Sequence, residues 1–80
     1  MIVPNKIVRY KNSILPKLSL ILVELQHKDI PPIMLYNKLR TKFEDVNQFI
    51  IALDVLFAIG KIVFDNKAGV LSYAGANKLQ

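Results

Sequence analysis

The run from Asp45 to Gly60 constrains this chain more than any other stretch, because it holds both ends of one helix. Asp45-Val46-Asn47-Gln48 reads as an aspartate form of the capping box, in which an N-terminal side chain and the residue three positions on satisfy each other's free N–H groups. Gly60 stands where a glycine in the left-handed conformation closes a helix. A helix over about residues 46–59 follows. Turning Val46, Phe49, Ile50, Leu53 and Phe57 toward a core leaves Asn47, Ile51, Asp54, Val55 and Ala58 on the opposite stripe. That stripe is half apolar, and a helix apolar nearly all round is normally covered on both sides. A protein partner over Ile51 and Val55 is therefore the favoured reading, and Ile51→Glu or Val55→Glu is expected to spare folding while breaking association. The bland alternative is that a terminal segment, residues 73–80 or the N-terminal arm, folds back over this face.

Two helices precede it. Ser13 is a good N-cap, Pro16 falls in the first turn where its missing N–H costs little, and Ile14, Leu18, Ile21, Leu22 and Leu25 repeat at helical spacing. The helix over 13–27 is expected to stop before Pro31-Pro32, which suit the start of a second helix over 31–42. Ile33, Tyr36, Leu39 and Phe43 form the apolar stripe of that second helix. Beyond Gly60, Lys61-Ile62-Val63-Phe64, the turn-forming Asp65-Asn66-Lys67-Ala68-Gly69 and Val70-Leu71-Ser72-Tyr73 read as a hairpin over 61–73. The fold class is thus mainly α with a small β-hairpin: a winged helix-turn-helix in a single domain. Residues 1–12 read as an extended arm or an N-terminal edge strand, a place where Pro4 is tolerated.

Composition narrows the function classes. The 80 residues contain no cysteine and 52% apolar side chains, a high share for a chain too short to bury a large core, which points to an interface. No run approaches the ~20 apolar residues of a membrane span, and the start lacks the apolar core of a secretory signal, so a cytoplasmic location is expected. Catalysis has little support: one histidine, His27, sits at a helix end, and no triad, zinc or phosphate-loop motif occurs. No cofactor and no metal site is expected, and the chain reads as non-enzymatic.

Charge is uneven, with +6 over residues 1–42 and −1 over residues 43–80. A basic domain favours anionic partners. The DNA-reading position of a helix-turn-helix is its second helix, here 46–59, which has neither lysine nor arginine. The alternative function, a DNA-binding regulator, therefore rests on sequence-tolerant phosphate contacts from Lys38, Arg40, Lys42, Lys61 and Lys67. The four phenylalanines, Phe43, Phe49, Phe57 and Phe64, read as core rather than as base-stacking groups. A homodimer with the helix stripe on a two-fold axis satisfies the same pattern.

Two stretches carry a resemblance. The opening Ile2-Val3-Pro4-Asn5-Lys6 and the run Phe49-Ile50-Ile51-Ala52-Leu53-Asp54-Val55-Leu56-Phe57-Ala58-Ile59-Gly60-Lys61-Ile62 look like the start and the third helix of the small middle components of bacterial ABC-three-component systems. The resemblance implies a winged-helix-like adaptor between a large SMC-like ATPase and an effector in a defence or conflict system. It implies no catalytic residue.

Overall fold

The computed structural model describes the backbone of residues 4–74 and the side chains of residues 14–74. Helix α1 runs Pro4–His27, α2 Pro32–Leu39, a short 3-10 turn Arg40–Lys42, α3 Val46–Ala58, and strands β1 Ile62–Asp65 and β2 Val70–Tyr73 close the order. Three helices and a C-terminal antiparallel hairpin match the expected class, with the layout of a helix-turn-helix followed by a wing.

The start differs from expectation. Residues 4–12 continue α1 rather than forming an arm or an edge strand, and Ser13 lies inside the helix instead of capping it. Pro4 supplies the reason, since a proline at the first helical position has its φ preset and gives up an N–H that has no helical partner there. Pro16 is then an interior proline, which removes one backbone hydrogen bond. The following turn is tied back by Ser19, whose hydroxyl donates to the Pro16 carbonyl at 2.9 Å. Ile14, Ile21 and Leu25 are buried on one side of α1, with Leu18 and Leu22 packed against the core, as their spacing predicts. Residues 1–3 of the family-like opening lie outside the described residues.

Between α1 and α2 the chain makes one β-bridge. The Ile30 N–H donates to the Leu71 carbonyl at 3.1 Å, and the Leu71 N–H donates back to Ile30 at 2.8 Å. Strand β2 is thus flanked by Ile30 on one side and β1 on the other, with Ile62↔Tyr73, Val63↔Ser72, Phe64↔Leu71 and Asp65↔Val70 in register. Ile30, Ile62 and Leu71 are all buried, so this small sheet pins the α1–α2 connection and the wing onto one core.

Both ends of α3 form as the sequence predicts. The Asp45 carboxylate accepts from the Gln48 N–H at 2.8 Å, and the Gln48 side-chain oxygen accepts from the Glu44 N–H at 2.8 Å. At the other end the Lys61 N–H reaches the Leu56 carbonyl at 2.9 Å and the Gly60 N–H reaches Phe57 at 3.1 Å, with Gly60 at φ 75°. That is the Schellman pair, and its left-handed residue is a position where a side chain would be strained.

Candidate protein-docking face

Helix α3 packs chiefly on α1, and Ala52 sits at the centre of its buried face. A methyl side chain there lets the two helix backbones approach closely. Around it Phe49, Ile51 and Leu56 are buried, together with Gln48, whose amide is spent on the turn before α3. Phe49 meets Tyr36 at a centroid distance of 5.0 Å and Phe43 edge-to-face at 5.3 Å, which ties α3 to α2 and to the chain between them. Such pairs contribute about 0.5–1.5 kcal/mol beyond their area.

This rotation overturns the expected faces in part: Phe49 is buried and Leu53 packs against the core as expected, but other positions exchange. Ile51, placed by sequence on the outer stripe, is 5% exposed, and Val55 and Asp54 are half-buried; Asn47 and Ala58 alone of that set are exposed. Val46, Ile50 and Phe57, placed by sequence in the core, are 46%, 47% and 40% exposed. Phe64 and Ile33 likewise stand at the surface rather than in the core. The cause is that α3 is apolar on almost every side, so hydrophobic spacing alone does not select its buried face. Two small or polar residues, Ala52 and Gln48, select it instead. Of the segments whose fold-back was the bland alternative, residues 73–80 or the N-terminal arm, residues 75–80 lie outside the described residues, and residues 4–12 continue α1.

The outward residues define an open apolar groove between α2 and α3. Pro32, Ile33 and Tyr36 form one wall and Val46, Phe49, Ile50 and Leu53 the other, around a space of about 300 Å³. Val46, Ile50, Leu53 and Phe57 recur at i, i+4, i+7 and i+11, so the stripe extends along α3. A groove with apolar walls and almost no polar lining offers van der Waals contact and water release, and little for a small polar substrate to hydrogen-bond.

The basic side chains are dispersed by comparison. Lys38 pairs with Glu24 of α1 at 2.7 Å. The Lys17 ammonium donates to the Lys42 carbonyl and lies 5.8 Å from the Phe43 ring centroid, which braces the turn between α2 and α3. Arg40 and Lys42 are exposed on that turn, while Lys61 and Lys67 are exposed on the wing. Among the described residues no three His, Cys, Asp or Glu gather as metal ligands, and no helix is long and apolar enough to cross a membrane. His27 is exposed at the end of α1.

Fold and surface together give a small domain of three helices and a C-terminal hairpin, compatible with a helix-turn-helix plus wing, whose α2–α3 face is apolar rather than basic. Residues 3–71 match the family of ABC-three component (ABC-3C) system Middle Component 7, and the chain belongs to that family. It is therefore a component of a multi-protein ABC-three-component system. No curated protein and no solved structure matches it.

Proposed function

We propose that this chain is a non-catalytic, cytoplasmic accessory subunit that docks on a larger protein of its system through the α2–α3 groove. The SMC-like ATPase and its effector are the partners this reading names, and defence against phage or a rival element is the setting. One observation carries it: α3, the helix that a DNA-reading helix-turn-helix would place in a major groove, here exposes Val46, Ile50 and Phe57, beside Ile33 of α2. An apolar stripe of that kind gains nothing from base edges, which are read by Arg, Lys, Asn or Gln. It does gain from an apolar partner segment, at about 25 cal/mol for each Å² removed from water.

Weak contact with nucleic acid through Arg40, Lys42, Lys61 and Lys67 is compatible with this role, as a salt-sensitive and sequence-tolerant addition. Lys38 is a poor contributor, since Glu24 already holds it. The test is co-purification of the chain with the ATPase and effector of its own system, beside a selection from random DNA duplexes. Retention of either protein, lost on Ile50→Glu, supports the adaptor. Enrichment of a defined DNA motif overturns it in favour of the regulator.

A further inference from the structure

The α2–α3 groove restricts the form of what can fill it. Both walls are helices, whose interior N–H and carbonyl groups bond within the helix, and the lining is apolar apart from the Tyr36 hydroxyl. An extended segment laid there finds no main-chain partner, and a backbone group closed away from water without one is costly. A helix brings its own hydrogen bonds. The stripe it meets runs from Val46 to Phe57, about 16 Å or three helical turns. Around α3, on the side of that stripe away from α2, stand Asp54 and Asn47. Asp54 is half-buried, four positions after Ile50 and three before Phe57, and no described residue pairs with its carboxylate. The charge of the chain is divided at the same place. Residues 43–60 hold Glu44, Asp45 and Asp54 with neither lysine nor arginine, a net −3, whereas the rest of the chain carries +8. Arg40 and Lys42 on the turn and Lys61 and Lys67 on the wing do not line the groove.

We infer that the occupant of the groove is an amphipathic helix of the partner protein, about three turns long, with lysine or arginine along the flank that meets Asp54. The inference rests on docking through this groove and adds the chemistry of what docks. Apolar residues at i, i+3 or i+4, and i+7 of that helix fill the space between Ile33 and Ile50, the pattern by which helices are recognised in grooves. Its basic flank answers a carboxylate that is partly stripped of water already. An apolar or acidic flank closed over Asp54 leaves a buried charge unpaired, so the site rejects such helices as well as selecting the basic one. The same negative charge opposes a nucleic-acid backbone at this surface. A second copy presenting this face brings another acidic stretch against the first, which disfavours self-pairing here.

Capture of the system's ATPase and effector by variants of the full chain tests this, with thermal melts to confirm folding. Asp54→Lys sets like charges together at the flank and is expected to weaken capture about tenfold. Asn47→Asp adds a carboxylate to the same flank at an exposed position in the first turn of α3, and is expected to tighten capture severalfold without lowering the melt. Both effects are expected to shrink as salt rises to about 500 mM. Hydrogen exchange of the captured protein is expected to show protection over one helix of the stated pattern. If Ile50→Glu abolishes capture while Asp54→Lys and Asn47→Asp leave it unchanged, the basic occupant is overturned and the groove reading stands. If Ile50→Glu also captures normally, or the parent chain captures neither protein, both fall. Protection of an extended or acidic segment overturns the inference alone. So does sedimentation of the free chain as a dimer that Ile50→Glu dissociates, which gives the groove to a second copy.

Discussion

Ile50 and Ile51 are adjacent in α3, chemically identical and oppositely placed, so replacing each with Glu isolates the orientation of the helix. Ile51 is 5% exposed, and its replacement forfeits most of the ~1.5–3 kcal/mol of a buried aliphatic side chain. The new carboxylate must then be buried without a partner or escape by unfolding the helix, at a further cost of several kcal/mol. A core of this size usually supplies only ~3–5 kcal/mol in total, so Ile51→Glu should leave no cooperative transition near room temperature. Ile50 is 47% exposed, and its carboxylate can stay in water while about half of the apolar burial is lost. That cost is about 1 kcal/mol, a fall in Tm of several degrees for a domain this small. Circular dichroism melts and urea titrations of the free chain measure both. Equal destabilisation by the two substitutions refutes the face assignment, and with it the groove.

Four further outcomes follow from local geometry. Gln48→Ala strands the Glu44 N–H and empties a fully buried site, so urea unfolding should register a loss of about 1–3 kcal/mol, large for a glutamine. Gly69→Ala meets no atom within 4 Å, yet its φ of 72° should cost about 1–2 kcal/mol through the backbone alone, with a matching loss of hairpin amide protection. Lys38→Ala breaks a bridge that is half in water, so its effect on the melt should stay below about 1 kcal/mol and shrink further with salt. Arg40→Ala with Lys42→Ala should lower the salt dependence of any DNA binding by up to about two phosphate contacts, without changing preference between sequences.

How far the fold was legible depended on whether local chemistry or tertiary choice decided each element. The caps of α3, the hairpin and its turn, and the break at Pro31-Pro32 are short-range devices whose residues satisfy one another, and all appear where the sequence places them. The start of α1 was not legible in the same way. Pro4 suits an edge strand and a first helical turn alike, and Ser13 suits a cap and a helix interior alike, so local preference does not separate them. The outer face of α3 was misplaced for a related reason. Apolar spacing fits several rotations of Val46–Ala58, and Gln48 looks exposed until its amide is seen to brace the turn before the helix. Ala52 carried the better clue, because a small residue marks where helices approach most closely. The Ile30 bridge had no sequence mark beyond one apolar residue before two prolines.

The claim that the helix-turn-helix face binds protein rests most directly on one measurement: capture of the system's ATPase and effector by the immobilised chain, compared with capture by Ile50→Glu and by Lys38→Ala. A carboxylate closed into an apolar interface costs several kcal/mol, and each ~1.4 kcal/mol is tenfold in affinity, so Ile50→Glu should weaken capture a hundredfold or more while its melt falls by only several degrees and the chain stays folded. Lys38→Ala should capture normally. Undiminished capture by a folded Ile50→Glu chain contradicts the account, since the partner would then be seated on a surface other than the α2–α3 groove.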